Sequence, residues 1–407
     1  MPFQRSRTSL SASRHSILFG VALSWFLLFP SLGLFQKYLG TTRALVCMAI
    51  GVALFARLAT TRWFAAPSRE EIDRGWMSTT TAVLFAVLVL GFVVFYPMTN
   101  TAAAGQSPSS VSIGGGGSDR DESLQLGIRE LVAGRYPYYQ TTPLDNFVTQ
   151  LPGSLLLAVP FAWLGNAVWQ NLFWFGVFIV FVGSVFQSER TTALVIALTV
   201  FASPVVLQDF LTGGDLGVNT ITILIGMFLM ITLAPDVSAA TWKKITVAAF
   251  TGIALSSRLN FLLLMPPLFA AMARRAGLRE AVWYVGVAAL AFAAVTLPFY
   301  LYDPAHFAPL NLHNRFNQFE GEVRGGSILF PALSLLVSVI VSFYSGNRTV
   351  RVWLLQSGFV LTLPVVFLVG VATIRAGRLN FLFTDYALAG AFFGAMGAGL
   401  SIFGREL

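Results

Sequence analysis

Apolar runs separated by short polar stretches recur along almost the whole chain. Runs of about 20 residues suffice to cross a bilayer as helices. They predict about ten spans: Ser16–Phe35, Thr42–Leu58, Thr80–Met98, Ala167–Phe186, Thr191–Leu207, Leu216–Ala234, Glu280–Tyr300, Ser327–Phe343, Val350–Ala372 and Thr384–Phe403. The intervening polar stretches leave no soluble domain of useful size. The expected fold is an all-α polytopic membrane protein, a single transmembrane domain over residues 1–407. The first span lacks the small-residue exit of a cleavable signal and is followed by further spans, so it reads as an anchor.

Two segments break the pattern. Residues 244–273 have a basic pair at each end, Lys243-Lys244 and Arg274-Arg275, and a polar interruption, Ser256-Ser257-Arg258-Leu259-Asn260. Two half-depth helices meeting there form a re-entrant hairpin, which is tolerated where the irregular backbone is buried in protein or lines a cavity. Leu151–Gly165 is short, apolar and opens with Leu-Pro-Gly. It is expected to lie along the outer leaflet.

Composition agrees with this class: 56% of residues are hydrophobic and 11% charged. Lys and Arg orient the chain, because they concentrate on the cytoplasmic side. With the N-terminus inside, the outer set is Lys37, Arg43, Arg120, Arg129, Arg135, Arg315, Arg324, Arg375 and Arg378; Arg258 falls within the membrane, and the rest of the 26 basic residues lie inside. Both termini are thus expected inside a cytoplasmic membrane, with 99–165 and 302–326 as outer polar loops. The net charge of +8 then reflects topology and anionic-lipid contact, not nucleic acid. A lone Cys47 excludes an internal disulfide framework and a cysteine metal site. No P-loop, dinucleotide fingerprint, nucleophile elbow or zinc spacing is present, which argues against ATP-driven or nucleotide-sugar chemistry.

The outer loop 99–165 carries the candidate chemistry. Gln106–Ser118 is Gly/Ser-rich and reads as flexible. An amphipathic helix follows, with Leu124, Ile128 and Leu131 on one face and Glu122, Gln125 and Arg129 opposite, and Gly134 as its stop. The helix is expected to lie on the membrane, with Tyr136, Tyr138 and Tyr139 at the headgroup level. Asp119, Asp121 and Glu122 open it. Acids there serve as caps and complement the helix dipole; a carboxylate at the same place can also act as general base on a hydroxyl. Arg258 is either a phosphate ligand or a structural residue that snorkels to the interface or pairs with an acid to hold the hairpin together. Asp209 and Asp215 flank a Gly-Gly turn as caps or sugar contacts. His306 and His313 lack metal-ligand spacing.

The order Asp121-Glu122, a helix ending Leu131-Val132-Ala133-Gly134-Arg135-Tyr136-Pro137-Tyr138, then Leu151-Pro152-Gly153 and an apolar helix to Gly165 resembles the GT-C superfamily of membrane glycosyltransferases. Leu-Pro-Gly stands where several branches have Pro-Pro-Leu. The resemblance implies sugar transfer from a polyprenyl-phosphate donor to an extracytoplasmic glycan or lipid acceptor. It implies Asp121 as base, with Asp119 and Glu122 next, and Arg258, Arg375, Arg378 and Arg315 around the donor phosphate. Asp215 and Tyr138 are further substrate contacts. No cofactor is required; a divalent metal, where used, would take Asp119 and Asp121. The competing readings are a lipid or glycan transporter or flippase, whose signs are internal symmetry and matched broken helices, and a non-catalytic scaffold of envelope assembly.

Overall fold

The computed structural model describes residues 5–61, 64, 79–99, 120–142, 145–310, 325–344, 349–381 and 383–403. Asp119, Arg315 and the Gly/Ser segment 106–118 lie outside them. Among the described residues there is no strand, only an isolated bridge between Thr141 and Phe147. The helices are α1 (Arg5–Leu28), α2 (Leu32–Leu39), α3 (Thr41–Leu58), α4 (Thr79–Thr99), α5 (Arg120–Val132), α6 (Pro152–Trp163), α7 (Trp169–Phe186), α8 (Glu189–Ile196), α9 (Pro204–Leu211), α10 (Leu216–Leu233), α11 (Thr241–Leu255), α12 (Met265–Ala276), α13 (Leu278–Tyr302), α14 (Gly326–Tyr344), α15 (Val350–Ala376) and α16 (Leu388–Phe403).

Among the described residues, seven helical stretches are long and apolar enough to cross a membrane: Ser16–Leu39 through α1 and α2, then α3, Thr79–Pro97, α7, α10, α13 and α15. The bent pair α8–α9 makes eight if it is one span. Burial sorts them. The span of α10 is 78% buried, whereas those of α3 and α13 are 11% and 17% buried. Leu54, Leu90 and Leu290 stand exposed on α3, α4 and α13. Apolar surface this continuous is suited to lipid rather than water. The architecture is consistent with a multi-pass membrane protein.

The expected count of about ten differs from this at three places. Thr191–Leu207 is not one straight helix: α8 runs into a π-helical turn, Ala197–Phe201, and α9 departs at 78°. Pro204 explains the break, since it lacks an N–H and pushes Ser203 out of the helical region. At Thr384–Phe403, Thr384–Ala387 forms a 3₁₀ turn, tied down as Thr384 Oγ1 donates to Phe381 O at 3.0 Å and accepts from Gly33 N at 2.7 Å. The remaining helix α16 has 16 residues, about 24 Å at 1.5 Å per residue. The apolar part of α14, Ile328–Phe343, falls in the same shorter class as α6.

The chain forms two compact units. The first comprises Met1–Leu84, Ile179–Leu207 and Leu354–Leu407. In it α1 packs on α3 and α16, and Phe29, Leu32, Val365, Val369, Phe381 and Ala387 make a core cluster. Gln36 bridges to Leu379 O and Phe381 N, at 2.8 Å each. The second unit comprises Phe85–Phe178 and Gln208–Trp353. There α11 packs against α10 and α13, and α6 against α5, α11 and α13. Gly252 permits the closest approach: a Cβ there would strike the Ala288 carbonyl of α13.

The segment 244–273 folds as helix, break and helix. α11 ends at Leu255, Ser256-Ser257-Arg258 is extended or turned, a 3₁₀ segment runs Leu259–Leu264, and α12 follows. α5 departs from the membrane-surface expectation. Its face of Leu124 and Ile128 is buried in a protein core with Val148, Leu151, Leu155 and Ala158 rather than offered to lipid. Gly127 lets it seat against α6, where a Cβ would meet Leu155 and Val148 at 2.9 and 3.0 Å. Gly134, at φ +71°, ends the helix as the spacing predicts.

Candidate functional site

The candidate site lies within the second unit, where α5, α6, the α9–α10 turn and the break after α11 converge. α6 begins with Pro152 at its first turn, where the missing N–H costs nothing. Its start is fastened to the break: Leu151 N donates to Ser257 O at 3.2 Å, Ser154 N to Ser256 O at 3.2 Å, and Gly153 N to Ser256 Oγ at 3.1 Å. Only glycine fits at 153, because a Cβ would collide with the carbonyls of Ile253 and Ser256. The Leu-Pro-Gly string is therefore a docking element of α6.

The residue before that string holds α5. The Gln150 side chain accepts from Ser123 Oγ at 2.9 Å and donates to Arg120 O at 3.2 Å. Its carbonyl accepts from Tyr138 Oη at 3.1 Å. Tyr138 is fully buried, so it braces the loop and offers no surface to a substrate. Tyr136 is also buried, with its hydroxyl donating to the carbonyls of Phe299 and Asp303. Of the three tyrosines expected at the headgroups, only Tyr139 is exposed.

The Gly-Gly turn organises two aspartates differently. Asp209 Oδ2 accepts from Gly217 N at 2.8 Å in the first turn of α10. Gly213, at φ +77°, and Gly214, whose Cβ would overlap the Asp209 carboxylate, let the chain wrap around that side chain. Asp209 thus caps α10 from outside the helix, and its other oxygen lies 3.7 Å from Arg120 Nη1. Asp215 occupies the N-cap position but makes no capping bond. It pairs instead with Arg258 Nη2 and accepts from Asn219 Nδ2 at 2.9 Å. Ser154 Oγ donates to Asn219 Oδ1 at 3.2 Å, which brings the head of α6 into the same network.

Of the two roles weighed for Arg258, the ion pair that holds the break is present. Its Nε is nonetheless buried without a hydrogen-bond partner among the described residues, as is Glu122 Oε2. Buried polar atoms left in this way are uncommon in folded proteins.

Asp121 is buried. Burial, then a hydrogen bond and charge repulsion from Glu122, push its carboxyl up to about 9. Near neutral pH Asp121 therefore carries a proton. It can accept one from a substrate only after releasing its own, as expected of adjacent carboxylates in a low-dielectric setting.

The structure brings Asp121, Glu122, Asp215, Arg258 and Tyr138 into one unit. Arg375 closes α15 and Arg378 follows it, both exposed in the other unit. The sequence left Arg120, Gln150 and Ser154 outside the candidate site residues and Asp209 as a flanking acid of the Gly-Gly turn. Arg120 had a signal, a cation inside an acid run; Gln150 and Ser154 had none, since their importance lies in contacts between distant segments. No group of three or more His, Cys, Asp or Glu side chains suited to a metal ion occurs among the described residues. Comparison with protein-family models, known proteins and solved structures finds no match.

Proposed function

We propose that the chain is a membrane glycosyltransferase of GT-C type, moving a sugar from a polyprenyl-phosphate donor to an extracytoplasmic glycan or lipid acceptor. The observation that carries this reading is the pair of buried Asp121 and half-buried Glu122 at the head of α5, with the Arg120–Asp209 and Arg258–Asp215 contacts in the same unit. One carboxylate of the pair, with Asp121 the first choice, removes the acceptor hydroxyl proton as that oxygen attacks the anomeric carbon. The bond from that carbon to the donor phosphate breaks, and the phosphate leaves as an anion needing cationic stabilisation. Arg258 and Arg120 are the cations of the network, and guanidinium N–H groups suit phosphate oxygens. A groove of about 350 Å³ runs along α5, lined by Ile128, Val132, Ala133, Ala162, Trp163 and Arg129 among others. Its apolar walls suit the polyprenyl tail. In this reading the protein sits in a cytoplasmic membrane with both termini inside and the site outside, and a divalent metal is not required.

The test is sugar transfer by purified protein in lipid, with a panel of radiolabelled polyprenyl-phosphate sugars and envelope acceptors. Wild type is compared with Asp121→Asn and Glu122→Gln. Loss of transfer in either variant supports the pair as base. Undiminished transfer in a combined Asp121→Asn, Glu122→Gln variant overturns the mechanism.

One observation favours a second reading, a transporter or flippase. Two helical segments are broken, at Ala202-Ser203 and at Ser256-Ser257-Arg258, and discontinuous helices are a hallmark of transporters. Movement of a labelled polyprenyl lipid across proteoliposomes, with no sugar transfer, would decide for it.

A further inference from the structure

Away from the acid pair, the end of α13 meets the loop 135–139. Tyr136 Oη donates to Phe299 O at 2.9 Å and to Asp303 O at 3.2 Å. Tyr139 Oη donates to Asp303 Oδ2 at 3.0 Å, and the same oxygen lies 2.8 Å from His306 Nδ1. The His306 backbone N–H donates to Asp303 Oδ1 at 3.2 Å. The rings form one continuous strip: Tyr302 to Tyr136 at 5.1 Å, Tyr136 to Tyr139 at 4.8 Å, and Tyr139 to His306 at 5.3 Å between centroids. Tyr138, Phe299 and Phe307 interlock nearby. Tyr302 is 71% exposed, Tyr139 48%, and the His306 side chain 60%.

Membrane-interface tyrosines present their hydroxyls to headgroups and water. Here the hydroxyls of Tyr136 and Tyr139 are already committed to fixed acceptors, which leaves the exposed faces of the Tyr139 and Tyr302 rings to meet a ligand. Rings already ordered lose little freedom when a ligand lands on them. With Nδ1 against Asp303, Nε2 is the remaining ring nitrogen of His306 and can hydrogen-bond a hydroxyl at the edge of the strip. The edge therefore takes hydroxyls, and the rings take flat C–H faces. The local charge selects further. Asp303 is acidic, and Arg135, the nearby cation, is engaged by Glu130 at 2.6 and 3.0 Å. Among the described residues, the strip holds no unengaged cation for an anionic ligand.

The geometry points to a binding surface for a neutral saccharide across Tyr302, Tyr139 and His306. A pyranose offers an apolar C–H face and a rim of hydroxyl donors, which is the complement of this surface. The surface does not depend on transfer chemistry, and its test is separate from that of the acid pair.

The test uses the full protein in nanodiscs of phosphatidylethanolamine and phosphatidylglycerol, titrated with maltohexaose, cellohexaose and α-1,6-mannohexaose by saturation-transfer difference NMR. At least one hexasaccharide is expected to bind. Tyr302→Leu, which keeps apolar bulk but removes the ring, and His306→Ala should each weaken it by about three- to tenfold. Asp121→Asn should bind as wild type does, even where it abolishes transfer. Absence of binding by all three probes, or binding indifferent to both substitutions, overturns the proposal. So does binding of phosphocholine in preference to the sugars, since a quaternary ammonium also suits tyrosines beside a carboxylate.

Discussion

Arg258 and the buried Asp215 form a part-buried ion pair that joins the break after α11 to the start of α10. A charge at this depth is tolerated because its partner is within reach, and Asn219 completes the bonding of Asp215. Removing one member leaves the other charged and buried. Arg258→Ala and Asp215→Ala are each expected to cost about 3–5 kcal/mol. The pair Arg258→Met, Asp215→Leu should recover much of that loss. Thermal unfolding in nanodiscs reads the cycle, and single-variant losses that simply add would show the two residues to be uncoupled.

Asp209 has two separable roles. Asp209→Asn keeps an oxygen for the Gly217 N–H but removes the charge facing Arg120, whereas Asp209→Ala removes both. The alanine variant should lose about 1 kcal/mol more than the asparagine variant, the worth of a helix cap. Equal unfolding temperatures for the two would mean that the bond to Gly217 carries no weight.

Two glycines should respond in opposite ways. Gly153→Ala drives a methyl into the Ile253 and Ser256 carbonyls and should separate α6 from the break, destabilising by about 1–3 kcal/mol or more. Gly286, on α13, has nothing near its Cβ direction, and Gly286→Ala should be neutral or stabilising by up to about 1 kcal/mol. The yield and melting temperature of the two variants provide the comparison. A Gly153→Ala protein as stable as wild type would remove the argument for the Leu-Pro-Gly string.

Asp121 should make stability depend on pH in a definite direction. Its carboxyl moves from an ordinary 3.8 to about 9 on folding. Between those values the folded chain holds more protons than the unfolded chain, so this group's contribution falls as pH rises from about 4 to about 9. Asp121→Asn mimics the protonated form. It should melt above wild type at pH 8, with the gap closing towards pH 5. Under the proposed function, wild-type transfer should rise with pH towards about 9, as Asp121 gives up its proton. A melting gap that is constant with pH would show that Asp121 is ionised throughout.

The helical, multi-pass character is legible in the sequence because it follows from local quantities, the length and hydrophobicity of successive runs. The short helix at Leu151–Gly165, the break at 256–258 and the stop at Gly134 are legible for the same reason, through proline, glycine and a polar interruption. The bend between α8 and α9 was locally signalled by Ser203-Pro204, but the strength of the surrounding apolar run hid it. Other features were decided only by the tertiary structure. That α5 turns Leu124 and Ile128 to protein rather than lipid, and that Tyr138 is buried, follows from α6 and the α13 end lying beside them. That Asp215 pairs with Arg258 rather than capping α10 depends on segments 43 residues apart in the chain meeting in space. Hydrophobic runs are written along the chain, whereas the partner of a charge is set by which helices pack together, and no single stretch of sequence contains that information.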